Sequence, residues 1–396
     1  MTVASIVEGL APDVRRTLID LRRAIHREPE LAFQETRTAE RLEAALCALG
    51  VEDVRRVAGT GLIARIRGRR ADAPVVAIRG DIDALPIREQ TGLEFASVYD
   101  GVMHACGHDV HASWAVGAAA LLVRDPADGD VLVVLQPAEE IGKGALAIME
   151  SGALDDVAAI FGGHVDRRFG VGEVVADDGP LAASADTFEI AIVGQGAHAA
   201  RPHESHDVIV SAAAVVSAIQ SIVARRLDPA IPGVVTVATM HAGTAPNVIP
   251  DRASLSGTIR AVDSASRDLM IAELKRISQH VASGLGTEAR VTIDLGTPPL
   301  VNSSRVASWA REAAATIVGA EHVVPLGFVN MAAEDFACYM QRIPGCFMRI
   351  GAREANGAVI PAHAPAFYAA EESIFVGAAV LAGCARTASS KLSLRQ

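Results

Sequence analysis

No block of basic residues interrupts the acidic balance of this chain, which has 396 residues and a formal net charge of -11. A nucleic-acid partner requires a positive patch, so that class of function is not expected. VGAAALLV is too short to span a bilayer, and no membrane association is expected. The opening MTVASIVEGLAPDVRR has only a short apolar run, broken by Glu8, and does not resemble a signal peptide. Cysteine is sparse: Cys47, Cys106, Cys338, Cys346 and Cys384 are odd in number and widely spaced. That argues against a disulfide scaffold, and the absence of a CxxC pair argues against a redox centre. A reducing cytoplasm is the expected setting. Internal repeats and low-complexity linkers are also missing.

Half of the residues are hydrophobic, enough for a large core, and the length exceeds that of a usual single domain. The spacing of apolar positions predicts helices over 9–28 and 36–49, the second stopped by Gly50. GLIARIRG and PVVAIRGDIDALP read as strands, the latter ending where Asp81 and Asp83 emerge. A helix is expected over 111–124. DVLVVLQPAEE then reads as a buried strand with Glu139 and Glu140 just past its end, and AIFGGH as a short strand ending at His164. Alternating strands and helices with polar residues at strand ends indicate an α/β sheet with a cleft at those ends. From residue 185 the order becomes β-α-β-β-α-β, with one long helix over DVIVSAAAVVSAIQSIVARRL. The expected organisation is therefore an insertion, 185–295, within a discontinuous domain made of 1–184 and 296–396.

The chemistry concentrates in GVMHACGHDVH, residues 101–111. Cys106 and His108 are one residue apart. In extended backbone they share a face, and thiolate with imidazole suits a borderline-soft divalent ion. A buried cysteine beside a hydrogen-bonded histidine is the competing explanation. Of the adjacent Glu139 and Glu140, one can bind an ion while the other takes a proton; surface charge is the alternative. His164 and His363 (in PAHAPAF) are further ligand candidates or ordinary loop histidines. Asp81 and Asp83 can orient ligating imidazoles. GQGAHAARPH holds His198 and His203, GTAPNVIPD holds Asn247, and GTIR ends at Arg260. An amide can donate to an oxyanion and a guanidinium can grip a carboxylate, although turn chemistry and surface charge explain the same residues.

Taken in order, GVMHACGHDVH, QPAEE, GGH, GQGAHAARPH, NVIPD with GTIR, AAEDFACYM and AHAPAF resemble the amidohydrolase family of hippurate hydrolases, N-acyl-amino-acid amidohydrolases and auxin-conjugate hydrolases. The resemblance spans nearly the whole chain. It implies a zinc-peptidase-like three-layer catalytic domain with an inserted two-layer lid. It further implies two divalent ions per subunit (Mn, Zn, Co or Ni) on Cys106, His108, Glu140, His164 and His363, with Cys106 touching both. Glu139 is implied as general base and later proton donor. His198, Asn247 and Arg260 are implied on the lid side of a small N-acyl amino acid or dipeptide. His104 and His111 are implied as supports, Asp109 as an outer partner of the ligands, and a homodimer or other homo-oligomer as the assembly. Three departures bear on acyl specificity: QPAEEIGKG carries Ile141 and Lys143 where glycines are usual, AAEDF replaces the usual residues before Glu334, and AHAPAF lacks the usual neighbours of His363. An aminopeptidase or dipeptidase, or a metal-bound protein without catalysis, are the alternatives.

Overall fold

The computed structural model describes Val3, Ile6 and residues 9–394; the rest of the N-terminal run read for a leader lies outside the described residues. In chain order the strands of the two larger sheets are β1 Asp53–Val57, β2 Gly61–Ile66, β3 Val75–Asp81, β4 Val131–Gln136, β5 Val157–Gly170, β6 Val174–Val175, β7 Asp186–Val193, β8 Gly233–Ala242, β9 Arg252–Ala261, β10 Glu288–Asp294 and β11 Gly345–Arg353. The principal helices are α1 Pro12–Arg27, α2 Thr36–Ala48, α3 His108–Arg124, α4 Gly144–Glu150, α5 Val208–Ile219, α6 Ser221–Arg225, α7 Ser264–Gly284, α8 Ser304–Val318 and α9 Glu372–Ser393.

Two compact units result. One is Met1–Gly179, Asn302–Phe328 and Cys338–Gln396; the other is Pro180–Val301 with Val329–Ala337. In the first, seven strands run β1-β2-β4-β3-β5-β11-β6. The central pairs β4/β3, β3/β5 and β5/β11 are parallel, and the outer pairs antiparallel. Parallel strands covered on both faces read as continuous apolar runs, as VLVVLQ does with every residue buried. Helix α1 starts on Pro12, has Asp13 in its first turn and His26 and Arg27 in its last, and buries Leu18, Leu21 and Ile25. The second unit is the antiparallel sheet β8-β9-β7-β10 in a β-α-β-β-α-β order. Its core joins Phe188, Ile190 and Ile192 of β7 to Val215 and Ile219 of α5 and to Leu274 and Ile277 of α7.

Three local expectations need correction. Helix α3 begins at His108 rather than at 111, because Gly107 takes the left-handed φ of 87° and turns the chain directly into it. Strand β5 does not stop at His164; it continues to Gly170 because β11 pairs alongside through Gly351↔Asp166. The long helix over 207–227 is two helices, α5 and α6, parted at Gln220. The five cysteines are free thiols.

Helices α3 and α9 meet where glycine permits. A Cβ on Gly377 would lie 2.2 Å from Cε3 of Trp114, and one on Gly117 would lie 2.8 Å from Cβ of Ala378. Trp114 is fully buried. Gly377→Ala is therefore expected to cost about 1–3 kcal/mol through overpacking. Urea denaturation read at constant slope checks it, and an unchanged midpoint would reject this account of the contact.

Candidate metal centre

The site grows from the C-terminal ends of β3 and β4 and from His164 within β5, all in the first unit. After β4, Pro137 leads into Ala138 at φ 54°, and Gly142 N–H closes a tight turn on the Glu139 carbonyl at 2.7 Å. Gly144 has to be glycine, since a Cβ there would stand 1.6 Å from the Pro137 oxygen. This turn places Glu139 and Glu140 side by side, their side chains 12% and 8% exposed. Before α3, Gly107 packs so closely that a Cβ would meet Cγ2 of Val165 at 2.4 Å. Cys106 and His108 therefore converge through a glycine turn and the first residue of a helix, not along extended backbone.

The six proposed ligand and base residues lie together. Cys106 Sγ is 3.1 Å from His164 Nε2. His108 Nε2 lies 3.7 Å from Glu140 Oε1 and 4.0 Å from Glu139 Oε2. His363 Nε2 lies 3.4 Å from Glu140 Oε2. Ligand atoms of Cys106, His108 and His164 fall within 4.8 Å of one another, as do those of Cys106, Glu140 and His363. Cys106 thus belongs to both trios.

Whether the residues suit cations can be tested on unpaired atoms. His108 Nε2 and Glu140 Oε1 are buried without hydrogen-bond partners, and they face each other across that 3.7 Å. Leaving such atoms unpaired is costly unless something coordinates them. The tautomers agree: His108 Nδ1 donates to the Asp83 carbonyl at 2.9 Å and its carboxylate at 3.1 Å, freeing Nε2. His164 Nδ1 donates to the Val165 carbonyl at 2.7 Å, leaving its Nε2 beside Cys106. The pKa directions record burial and the charges gathered around these groups. Burial and then the Glu140 carboxylate push the Cys106 thiol well above its ordinary range. Burial opposes charge on His108, but Asp81 and Asp83 outweigh it and raise its pKa. Burial, then His111 and Arg349, lower that of His164. Such a pocket of buried thiol, imidazole and carboxylate fits divalent cations.

An outer layer holds these groups. Asp83 Oδ2 also accepts the Glu140 N–H at 3.0 Å, so one carboxylate positions two candidate ligands. Asp81 accepts from His111 Nδ1 at 2.6 Å and from Arg79, and His111 Nε2 accepts the Val165 N–H at 2.9 Å. The His111 ring stacks on Trp114 at 4.4 Å. Arg79 also donates to Gln136 at 2.9 Å, as does the Tyr339 hydroxyl. Glu35 accepts the Ala138 N–H at 2.9 Å, steadying the glutamate turn. The support expected from His104 does not take the form of hydrogen bonds: both its nitrogens are buried without partners, and burial lowers its pKa to about 3. Arg79, Gln136, Tyr339 and Glu35 escaped the sequence reading. A charged residue inside the apolar stretch VVAIRGD was the available signal for Arg79.

Asp109 faces α1, where Arg22 Nε donates to it at 2.7 Å and His26 Nδ1 at 2.9 Å; His26 Nε2 lies 3.1 Å from Glu89. Burial works against charge on His26, yet Asp109 and Glu89 raise its pKa above the ordinary value. A raised folded-state pKa adds stability that is full below about pH 6.5 and lost as pH rises through the folded value. The stability difference between the wild type and His26→Ala should accordingly shrink on the alkaline side. Denaturant midpoints between acidic and alkaline pH check this; a gap constant with pH would refute it.

In the second unit, His198 sits in a two-residue strand paired with Val248–Ile249, and the Ala199 N–H donates to the Asn247 carbonyl at 3.0 Å. The His198 ring is exposed and its Nδ1 accepts the Ala200 N–H at 3.1 Å. Arg260 lies on β9 opposite Val234, on the face away from buried Leu255 and Ile259. His198 and Asn247 are thus neighbours, and Arg260 stands apart on the sheet.

Soft and hard donors in two overlapping trios, with an adjacent glutamate, at strand ends of a mixed sheet, define a metal-dependent hydrolase. The chain belongs to peptidase family M20/M25/M40, whose family model matches residues 77–387. It is 41% identical over 367 residues to the N-acetylcysteine deacetylase of Bacillus subtilis (strain 168), covering 91% of this chain and 93% of that one. It is 37% identical over 382 residues to the IAA-amino acid hydrolase ILR1-like 5 of Arabidopsis thaliana, covering 93% and 86%. Among solved structures, the Bacillus subtilis YXEP protein, a dinuclear metal binding peptidase, superposes with a TM-score of 0.85 at 36% identity, covering 96% of this chain and 99% of that one.

Proposed function

We propose that this enzyme hydrolyses the amide bond of N-acyl amino acids, with acetyl, benzoyl or similar acyl groups, to a carboxylate and a free amino acid. The observation that carries the proposal is the facing pair of unpaired buried atoms, His108 Nε2 and Glu140 Oε1, beside the second carboxylate of Glu139. The similarity to an N-acetylcysteine deacetylase supports the substrate class. Cys106, His108 and His164 would hold one divalent ion, and Cys106, Glu140 and His363 the other, with manganese, zinc, cobalt or nickel able to serve. Such ions acidify water and polarise a carbonyl. Glu139 takes the proton from the attacking water and returns it to the nitrogen of the departing amine. Glu140 is kept as a ligand by Asp83, which fixes its backbone, so the neighbouring glutamates divide two tasks. In the second unit, His198 or Asn247 donates to the developing oxyanion, and Arg260 pairs with the substrate carboxylate.

A screen of the ion-reconstituted protein on N-acetyl and N-benzoyl amino acids and free dipeptides, with product masses, tests this. Turnover of blocked amines supports it. Turnover of free dipeptides alone would instead favour a dipeptidase, and silence across the panel a metal-holding protein without catalysis.

The second unit carries an apolar exposed surface suited to a second copy of the chain. Edge strand β8 exposes Val234 and Met240, and the helices α5 and α6 expose Ile209, Val210 and Val223. An unpaired strand edge beside apolar helix residues invites association. A homodimer is the assembly we assign, in the reducing cytoplasm that free thiols favour. Sedimentation equilibrium showing only monomer at micromolar concentration would reject the dimer.

A further inference from the structure

His363 is the exposed member of the centre. Its side chain is 53% exposed, and it sits at φ 67°, a backbone conformation uncommon outside glycine. It stands on a strap between β11 and α9 that has neither helix nor strand along its length. Something must hold that strap, since the reach of His363 toward Glu140 depends on it.

The neck of the strap is closed by the Ala370 N–H donating to the Ala352 carbonyl at 3.0 Å. Into this neck projects Arg167, three residues beyond His164 on β5, its side chain fully buried. It arrives there through an irregularity in the sheet. Gly351 pairs with Asp166 but Arg353 pairs with Gly170, so Arg167, Arg168 and Phe169 stand opposite Ala352 alone. Every N–H of the guanidinium then finds an oxygen of the strap or its neck. Nε donates to the Ala358 carbonyl at 3.1 Å. Nη1 donates to the carbonyls of Ala352 at 3.3 Å and Tyr368 at 3.1 Å. Nη2 donates to Ala358 at 2.8 Å and to the Glu354 carboxylate at 2.9 Å. The Tyr368 ring lies 4.2 Å from the guanidinium carbon. At the far side, the His363 N–H donates to the carbonyl of Ala105, next to Cys106, at 2.8 Å, and the Gln90 N–H donates to Pro365 at 2.8 Å.

We infer that Arg167 is a positioning residue that sets the strap so that His363 reaches the ion shared with Cys106 and Glu140. It gathers backbone from the start, middle and end of the strap on one planar fork. A lysine at the same place keeps the charge but has three donors on a single nitrogen and cannot span those carbonyls. The imidazoles of His108 and His164 bond Asp83, Cys106 and Val165 rather than the strap, which reaches this trio only at the Ala105 carbonyl, so loosening it should weaken one ion and spare the other. The inference rests on the assignment of His363 as a ligand.

The test is ion stoichiometry and affinity, by elemental analysis and calorimetric titration with manganese or zinc, on Arg167→Lys, Gly357→Ala and His363→Ala. Gly357→Ala serves as a milder probe. Its Cβ would stand 2.3 Å from Glu354 Oε2 and 2.9 Å from Arg167 Nη2, so it displaces the fork without removing it. The expected result is an affinity for one ion lowered about 10–100-fold, the range for outer partners of ligands, with the other ion retained. Excess divalent ion should restore turnover in Arg167→Lys, and adding that change to His363→Ala should lower ion affinity no further. Full and tight occupancy of both sites in Arg167→Lys and Gly357→Ala, with one ion lost from His363→Ala, would overturn the clamp alone. Equal loss of both ions, or a further loss on top of His363→Ala, would mean a general structural role and would also overturn it. Full occupancy in His363→Ala would overturn the ligand assignment and the clamp together.

Discussion

Glu139→Gln should retain the ion content of the wild type and lose at least ~100-fold in turnover of an N-acetyl amino acid, the usual scale of acid–base catalysis. The substitution keeps size and hydrogen-bonding shape but removes the proton-accepting oxygen. The expectation of normal ion content comes from geometry. Glu139 shares the turn with Glu140, yet Glu140 is the residue whose two oxygens lie 3.7 Å and 3.4 Å from His108 and His363. Glu139 comes only to 4.0 Å from His108. The converse change, Glu140→Gln, should lower ion content as well as turnover. Elemental analysis beside steady-state kinetics separates the two roles. Near-normal turnover of Glu139→Gln would remove it as the proton carrier, and loss of ions from it would make it a ligand.

Much of this arrangement could be read before any coordinates. The strand ends were legible because apolar runs such as VLVVLQ stop abruptly at polar residues, and in a parallel sheet those ends form the cleft. The candidate donors Cys106, His108, Glu140, His164 and His363 came as a set from the resemblance carried by HACGHD, PAEE, GGH and AHAPAF; strand ends by themselves pointed only to Glu140 and His164 of that set, and to Glu139 beside them. Less could be said of how the donors meet. Cys106 and His108 seemed to call for extended backbone, but Gly107 makes a left-handed turn that brings a helix start to the same place. His164 looked terminal because GGH ends the apolar run, while the partner strand β11, about 180 residues later, carries β5 onward. The helix break at Gln220 has no glycine or proline to announce it. Nothing in DRRFG singles out Arg167; its burial depends on carbonyls of residues 352, 358 and 368, which no local pattern reveals. In the second unit His198, Asn247 and Arg260 are the least legible, since their local settings are equally those of a turn and an open sheet face.

His108→Ala should have the largest effect on the centre, and Asp83→Asn shows why. His108 is fully buried at the start of α3, and its Nε2 has no hydrogen-bond partner. Removing the ring removes a direct donor, so ion content should fall to a minor fraction of the wild type. Asp83→Asn leaves the donors in place but exchanges a carboxylate for an amide at the point where both the His108 Nδ1–H and the Glu140 N–H are received. An amide can still accept one of them, so the expected loss of affinity is the ~10–100-fold typical of an outer partner. The order His108→Ala worse than Asp83→Asn is the discriminating outcome, measured as ions bound per chain at several free ion concentrations. Ions that stabilise only the folded state raise its stability by mass action, so the thermal midpoints should follow the same order when ion is present. They should draw together in chelator, where the bound ions no longer contribute. Equal midpoints in ion and in chelator for the wild type would show that the pocket holds no ion of consequence. The unpaired atoms of His108 and Glu140 would then need a different explanation.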